Sequence, residues 1–490
     1  VRTIRKEKRL DKFLTKSEEQ KTQSKDTDTT TTSSLFTWTG HPFTDAGLVA
    51  LLLLSGKKKP EELSKEDIEN VVNFASRLYA RKEWSSGYIH AMMLPNSGIL
   101  MANPSMAKKR TPEAIKKNLL SLLNEKEDPR APICEICGRR HARIKPVYRS
   151  DFPLVGTGGV PNYFPSGKDG ANICSHCLFL AQMMPLVAYR LSRVLIIHAY
   201  PYQLMLEFHK EAIEDIKKSE LASTARDFKR PENFLFEKLT EIGTKFEIGK
   251  LENASITLYY FVNNNQSQEM EVIYIPNPVL RFVAFAARVD RAGWKKIVSM
   301  GWNKGCAKRL SKKPEEIPKS CSNDVYSKLL SGGSILPYFI DFQNRKVNAS
   351  WRLLSFYCSE VLGLDREALE FIKGIADRIV ETVEKLPDNK LSRRIRELER
   401  AEKLYQFESF FIRVEKDRQE LGIPEALMSF DDFARILTSY GEDLNVSWKT
   451  VKNLLLFRIY EKLHDRLMKA SAEEVEAEEN EEEFEEGGEE

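Results

Sequence analysis

No apolar run in the 490 residues is long enough to span a bilayer; the longest, Val49 to Leu54 and Cys177 to Tyr189, fall short of the roughly 20 residues a crossing helix needs. The N-terminal segment carries charge and lacks the apolar centre of an export signal, so the sequence predicts a soluble, cytoplasmic protein with no membrane partner. Compact catalytic motifs are missing as well. There is no GxxxxGK[ST] phosphate loop, the nearest fragment being Ser166-Gly167-Lys168-Asp169, and neither HExxH nor GxSxG occurs. The seven histidines, His41, His90, His141, His176, His198, His209 and His464, are scattered, so any histidine site would have to assemble by folding; structural roles are expected for them. Asp431-Asp432 looks like a helix cap. These absences predict a protein that is not an enzyme.

Cysteine is scarce, but four of the seven are arranged. Cys134 and Cys137 lie in CEIC, and Cys174 and Cys177 in CSHC. Two such turns can bring four thiolates to one tetrahedral ion at about 2.3 Å, the pattern of structural zinc. Redox dithiols, free buried thiols and disulfides are the competing readings. A redox pair should open a helix in a thioredoxin-like unit, and a disulfide needs an oxidising compartment. A full shell of four thiolates leaves no open position for a catalytic water. The clamped stretch, Gly138 to Ile173, holds Arg139, Arg140, Arg143, Lys145 and Arg149 beside Gly156-Thr157-Gly158-Gly159, so a metal would fix a basic insertion at its base. Cys306, Cys321 and Cys358 stand apart and are expected to be unpaired.

The formal net charge of +3 conceals an asymmetry. Residues 471–490 contain 12 glutamates and no base; without them 60 acidic groups face 75 basic ones, a net +15 over residues 1–470. A basic body favours a polyanionic partner. The tail offers only Val475 and Phe484 for burial and is expected to be disordered.

The pattern along the chain predicts an α+β protein: a mixed N-terminal domain with a zinc-binding CxxC/CxxC insertion, followed by an antiparallel helical bundle. Residues 1–34 read as a flexible polar arm, 35–350 as the α+β domain with the insertion at 134–177, 351–470 as the bundle, and 471–490 as the acidic tail. Leu35 begins an aromatic entry and an apolar helix ending near Ser55-Gly56. Ser64 and Asp67 form a capping box for a helix to about Arg81. Gly, Pro and Asn between Ser85 and Arg110 mark an exposed loop with a basic exit, then a helix from Pro112 to Asn124. Mixed helix follows Cys177 to about Lys218. Ser255–Val262 and Glu269–Ile275 alternate around a five-residue polar turn as a strand pair. Helices are expected over 365–386, 391–421, 430–440 and 447–469.

Three segments combine the right chemistry for nucleic acid. Asn96, Ser97 and Asn103 with Lys108, Lys109 and Arg110 offer polar groups for base edges and cations for phosphates; the plain alternative is a connecting loop. Arg139, Arg140 and Arg143 suit a phosphate backbone, or a solvated face. Arg393, Arg396 and Arg400 are spaced along one edge of a helix as a single-strand track, unless Glu397, Glu399 and Glu402 merely pair with them.

The motif from Trp38 to Gly47, WTGHPFTDAG, together with Pro95-Asn96-Ser97-Gly98, the twin CxxC turns around the Gly-rich stretch, Ile256-Thr257-Leu258-Tyr259 and Ile275-Pro276-Asn277-Pro278-Val279, resembles the CXXC-CXXC large subunit of a type I CRISPR interference complex, Cascade, most like type I-B. The resemblance covers about residues 35 to 470. It implies a non-enzymatic subunit of a crRNA-guided complex that binds the protospacer-adjacent motif in duplex DNA, helps start the R-loop and recruits a separate helicase-nuclease. Implied partners are crRNA, target duplex, the displaced strand and the other Cascade backbone subunits. A zinc-stabilised nucleic-acid-processing enzyme with dispersed catalytic residues and a zinc-bearing protein scaffold are the alternatives.

Overall fold

The entry motif builds the helix around which the N-terminal half packs. Pro42 presets the first turn of α1, Pro42–Ser55, where His41 Nδ1 accepts the Phe43 N–H at 3.3 Å. Gly56, at φ 69°, ends it in a left-handed cap. Every residue from Phe43 to Leu52 is buried, as expected of a helix apolar on all sides. The structure is a computed structural model that describes residues 35–486 apart from 125, 127, 142–144, 157–169, 220–225 and 439–443. The arm at 1–34 lies outside the described residues. Helix α2, Lys65–Ala80, opens with the expected Ser64–Asp67 capping box, and α3 spans Pro112–Ser121.

Between these two helices the sequence reading is only partly right. Ser85–Met93 is π-helical, with Tyr88, Ile89 and Met93 in the core, so the loop begins at Leu94. After α3, strands β1 (Lys145–Val147) and β2 (Ala171–Ile173) pair antiparallel, closing the base of the insertion. Helix α4, Ser175–Met183, then packs on α1, where Gly47 allows the closest approach.

A four-stranded antiparallel sheet follows, in the order β3 (Tyr189–Arg190), β4 (Val194–Tyr200), β5 (Ser255–Asn263) and β6 (Gln268–Ile275). The β5–β6 hairpin was legible in the sequence; β4 was not. Its Val-Leu-Ile-Ile run is buried, which removes the polar alternation that marks a half-exposed strand. Helices α5 (Tyr202–Ser219) and α6 (Pro231–Ile242) connect β4 to β5. Next come α7 (Asn277–Val289), α8 (Arg291–Met300) and the short α9 (Lys304–Arg309). Here Cys306 and Cys321 form a disulfide, Cα to Cα 5.7 Å, contrary to the expectation that they are unpaired. The chain doubles back, Asn303 N–H donating to the Ser322 carbonyl at 3.0 Å, which brings two sulfurs fifteen residues apart together. Cys358 is free and buried.

The C-terminal part consists of α10 (Trp351–Glu360), α11 (Arg366–Glu384), α12 (Asp388–Glu399), α13 (Leu404–Glu420), α14 (Phe430–Thr438) and α15 (Leu444–Glu486). Together with the sheet this makes the protein α+β. The single helix expected over 391–421 is two. Lys452 Nζ donates to the carbonyls of Glu399 and Ala401 at 2.9 and 2.7 Å, holding the break open from α15. The acidic segment expected as a disordered tail continues α15 to Glu486. Alanine and glutamate are strong helix formers, and a helix already nucleated by packing extends without a new nucleation cost. Apolar packing runs without interruption from Phe36 to Leu467. Helix α10 docks on α7 through the stacked Phe285 and Phe356 rings, 3.8 Å apart, and the Arg281–Glu360 ion pair at 2.9 Å. No helix among the described residues is long and apolar enough to cross a membrane.

Candidate metal centre and nucleic-acid interface

The first CxxC turn is a tight knuckle. Gly138, at φ 70°, lets the chain reverse so that Gly138 N–H reaches the Cys134 carbonyl at 3.0 Å and Cys134 N–H the Arg139 carbonyl at 2.9 Å. Glu135 N–H donates to the Asn172 carbonyl of β2, tying this knuckle to the second. There Cys174 caps α4 and accepts from Cys177 N–H at 3.4 Å, while Cys134 Sγ accepts from Cys174 N–H at 3.3 Å. All four sulfurs lie within 4.8 Å of one another. Cys137 and Cys174 are 3.8 Å apart, and a tetrahedron with metal–sulfur bonds of about 2.3 Å has an edge of about 3.8 Å. This donor set fits a four-coordinate thiophilic cation and is closed.

Without a cation the four thiols cannot all ionise. Contacts with Cys134, Cys174 and Cys177 push Cys137 far down, and the sulfurs of Cys134 and Cys137 push Cys174 and Cys177 far up. An ion at the centre removes that conflict by stabilising every thiolate. His141 is buried, its Nε2 3.7 Å from Cys137 Sγ, and its ring meets His176 edge on. The first guanidinium of the insertion, Arg139, donates to Thr37 Oγ1 at 3.0 Å. Arg140 donates to the Ala131 carbonyl at 2.7 Å and remains exposed. Arg143 lies outside the described residues.

The loop after Leu94 divides into supports and presented groups. Ser97 is buried, donating to Asp151 Oδ1 at 3.1 Å and accepting from Leu100 N–H; Arg110 donates to the carbonyls of Met101 at 2.7 Å and Asn103 at 2.9 Å. Both hold the loop in shape; Ser97 is buried away from any ligand, whereas Arg110 stays half-exposed. Asn96 is exposed at φ 65°, a left-handed position that asparagine tolerates. Its N–H donates to His90 Nδ1 at 3.2 Å, and burial keeps the His90 pKa low and that nitrogen an acceptor. Asn103 donates to Asn96 Oδ1 at 2.7 Å, and Asn96 donates to Asn265 Oδ1 at 3.0 Å.

Asn265 belongs to the β5–β6 turn, which the sequence reading left out. Its amide-rich run Asn263-Asn264-Asn265-Gln266-Ser267-Gln268 was the available signal. Asn263 anchors the turn from inside, donating to the Met93 carbonyl and, at 3.0 Å, to that of Arg149. Loop, turn and the flank of the cysteine insertion therefore meet at one surface, with Lys108 and Lys109 exposed beside it.

In the bundle, Arg393, Arg396 and Arg400 line a cleft of about 590 Å³ between α12 and α13, joined by Tyr405, Gln406 and Arg413. Arg400 is the cap residue of α12 rather than part of a continuous helix. Glu397 pairs with Arg413 at 2.8 Å and Arg393 at 3.6 Å, whereas Glu399 turns away to Arg345 at 3.0 Å. Glu397 also binds Arg394 at 3.1 Å, so this one carboxylate at the cleft wall serves three guanidiniums, beside a tyrosine 59% exposed.

Folding also gathers His41, Asp45 and His198. Asp45 is fully buried and accepts from Thr39 N–H at 2.8 Å, Thr39 Oγ1 at 2.9 Å and Gly40 N–H at 3.0 Å, with His198 Nε2 at 3.1 Å. Burial lowers the His41 pKa to about 4. These groups are spent on holding the entry turn.

The fold and cysteine geometry define an α+β protein with a four-cysteine cluster close enough to hold a metal ion. Residues 127–189 match the family model of a CRISPR-associated protein, Cas_CXXC_CXXC. The matched stretch contains both knuckles, their linking hairpin and α4, and it supports a CRISPR-associated protein of the CXXC-CXXC family. No curated protein and no solved structure matches the chain.

Proposed function

We propose that the protein is the large subunit of a type I, type I-B-like, CRISPR interference complex, a DNA-reading subunit with no catalytic chemistry of its own. The observation that carries this reading is the amide cluster Asn96–Asn103–Asn265, with Asn96 and Asn265 exposed and Asn103 half-buried on a fixed loop and turn beside Lys108 and Lys109. Asparagine amides present donor and acceptor together, the pattern that pairs with base edges in a groove, while adjacent cations fix register on phosphates. In this reading the four cysteines hold zinc and keep the insertion rigid, with Arg140 facing DNA backbone or crRNA. The cleft of Arg393, Arg396, Arg400 and Arg413 with Tyr405 suits a displaced single strand, because arginine surplus plus an open ring is the composition of single-strand grooves. The remaining backbone subunits and the helicase-nuclease dock elsewhere on the chain, in the cytoplasm.

The test is reconstitution with crRNA and partner subunits. Asn96→Ala or Asn103→Ala is expected to reduce discrimination between matched and mismatched flanking motifs by about 1 to 3 kcal/mol per lost bidentate contact, leaving non-specific binding nearly intact. Equal losses on both motifs would contradict the assignment. Metal-dependent cleavage by the isolated protein would favour the enzyme reading instead.

A further inference from the structure

A second long stretch of single-sign charge lies along α8, α9 and the residues after it. From Arg291 to Lys313 there are eight cations, Arg291, Lys295, Lys296, Lys304, Lys308, Arg309, Lys312 and Lys313, and no acidic residue. All eight side chains are exposed. The nearest lysine ion pairs are Lys319–Glu316 at 3.2 Å and Lys328–Asp324 at 2.9 Å, which leaves Lys304, Lys308, Arg309, Lys312 and Lys313 without a carboxylate partner among the described residues. Asp290, just before the run, is committed to capping Gly293 N–H at 2.9 Å and Ser350 N–H at 2.7 Å. A solvated face on a helical protein normally mixes signs; here the carboxylates come only after the run, at Glu315 and Glu316, and Glu316 is taken by Lys319.

The backbone beneath these cations is held from several sides. The Cys306–Cys321 bridge closes the loop that contains Lys308 to Lys313, Asn303 caps α9 by accepting Cys306 N–H at 2.9 Å, and Trp302 pairs with Asn323 as an isolated bridge. Beside α9 opens a cleft of about 620 Å³ whose walls are Met300, Trp302, Ala307, Ile317 and Pro318, with Lys304 at its edge. Met300 is 41% exposed, and Trp302, partly exposed, is backed edge-on by Tyr326 at 5.8 Å. An apolar slot with an indole in its wall and a rigid rim of unpaired lysines has two complementary features: a place for a flat ring and a track for regularly spaced negative charge. A duplex hides its base faces, so only the second feature would serve it.

We propose that the disulfide-clipped α9 loop and the Met300–Trp302 cleft form a second binding site for single-stranded nucleic acid, with a base in the cleft and the phosphates on Lys304, Lys308, Lys312 and Lys313. The site is separate from the Arg393 cleft and does not rest on the reading given under Proposed function. It concerns the affinity of the full-length protein for a bare oligonucleotide, whatever complex the protein joins.

Fluorescence anisotropy of the full-length protein with a labelled oligothymidine, and with a duplex of equal length, tests this over a range of salt. Changing Lys304, Lys308, Lys312 and Lys313 together to alanine removes exposed side chains only. It is expected to weaken single-strand binding at least tenfold and to reduce the slope of log affinity against log salt by about 3, since each of the four lost phosphate contacts on a single strand contributes about 0.7. Trp302→Ala is expected to weaken single-strand binding several-fold with the salt slope unchanged and duplex binding unaffected. Trp302→Phe, which keeps a ring against Tyr326, should recover most of that loss and so separates stacking from misfolding. An unchanged slope in the quadruple variant, or equal losses on duplex and single strand with Trp302→Ala, would overturn the proposal.

Discussion

Gly47→Ala adds one methyl group in the middle of α1, where the helix is buried on all sides. A Cβ there would lie 1.8 Å from the Leu180 carbonyl oxygen and 2.5 Å from its carbon, whereas ordinary contact starts at 3.4 Å. Both obstructing atoms are backbone, so no rotamer change relieves the clash; α1 and α4 must separate by about 1.6 Å, the difference between 3.4 and 1.8 Å. Over-packing of this kind costs about 3 kcal/mol at the upper end of its usual range. At the roughly 2 to 4 °C per kcal/mol of a 150–250-residue domain that lowers Tm by roughly 6 to 12 °C, and by less where the continuous core from Phe36 to Leu467 melts as one unit. Because Cys174 caps α4 and Cys177 lies in its first turn, the displacement also strains the thiol cluster. Calorimetry with metal analysis reads both effects. Gly56→Ala is the control: nothing lies near its Cβ, and only its left-handed φ of 69° opposes a side chain, at about 1 to 2 kcal/mol. A Gly47→Ala protein that melts with the parent would refute the direct contact between these helices.

Replacing Cys134 and Cys174 together by serine should abolish one tightly bound zinc per chain and lower thermal stability, since an ion bound only to the folded state stabilises it; native protein free of zinc on metal analysis would end that expectation. His41 has its pKa lowered to about 4 from 6.5, so the unfolded chain binds more protons between those values and stability falls as pH drops from 6.5 to 4, by up to about 3 kcal/mol. His41→Gln should flatten that part of the pH–Tm curve, and an unchanged slope would assign the effect elsewhere. Serine at both Cys306 and Cys321 opens a loop of 15 residues and should cost about 3 kcal/mol in the chain-entropy account. Identical Tm values for the parent with and without reductant would show that the bridge does not contribute.

What the sequence revealed depended on whether a residue's role was local. The Ser64–Asp67 box, the left-handed Gly56, the β5–β6 alternation and the twin CxxC turns are each decided within a few residues, and each was readable. Strand β4 was hidden because burial on both faces erases its period. The break between α12 and α13 was hidden because its cause, Lys452, lies some fifty residues away. The same applies to the sites. Loop composition singles out Asn96 and Asn103, but Ser97 and Arg110 have the same composition and turn inward to Asp151 and to backbone carbonyls. Asn265 joined them only through the register of a hairpin 169 residues further on.

Asn263 donates to the carbonyls of Met93 and Arg149, and Asp151 accepts from Ser97. These few bonds mean that the amide surface is not an interchangeable cassette. Transplanting residues 94–110 into another scaffold would leave Ser97 without Asp151, and a hairpin exchanged alone would separate Asn263 from the Met93 and Arg149 carbonyls. Under the DNA-reading function proposed above, changing the base preference means leaving Ser97, Arg110, Asp151 and Asn263 in place and varying only the amides at 96, 103 and 265.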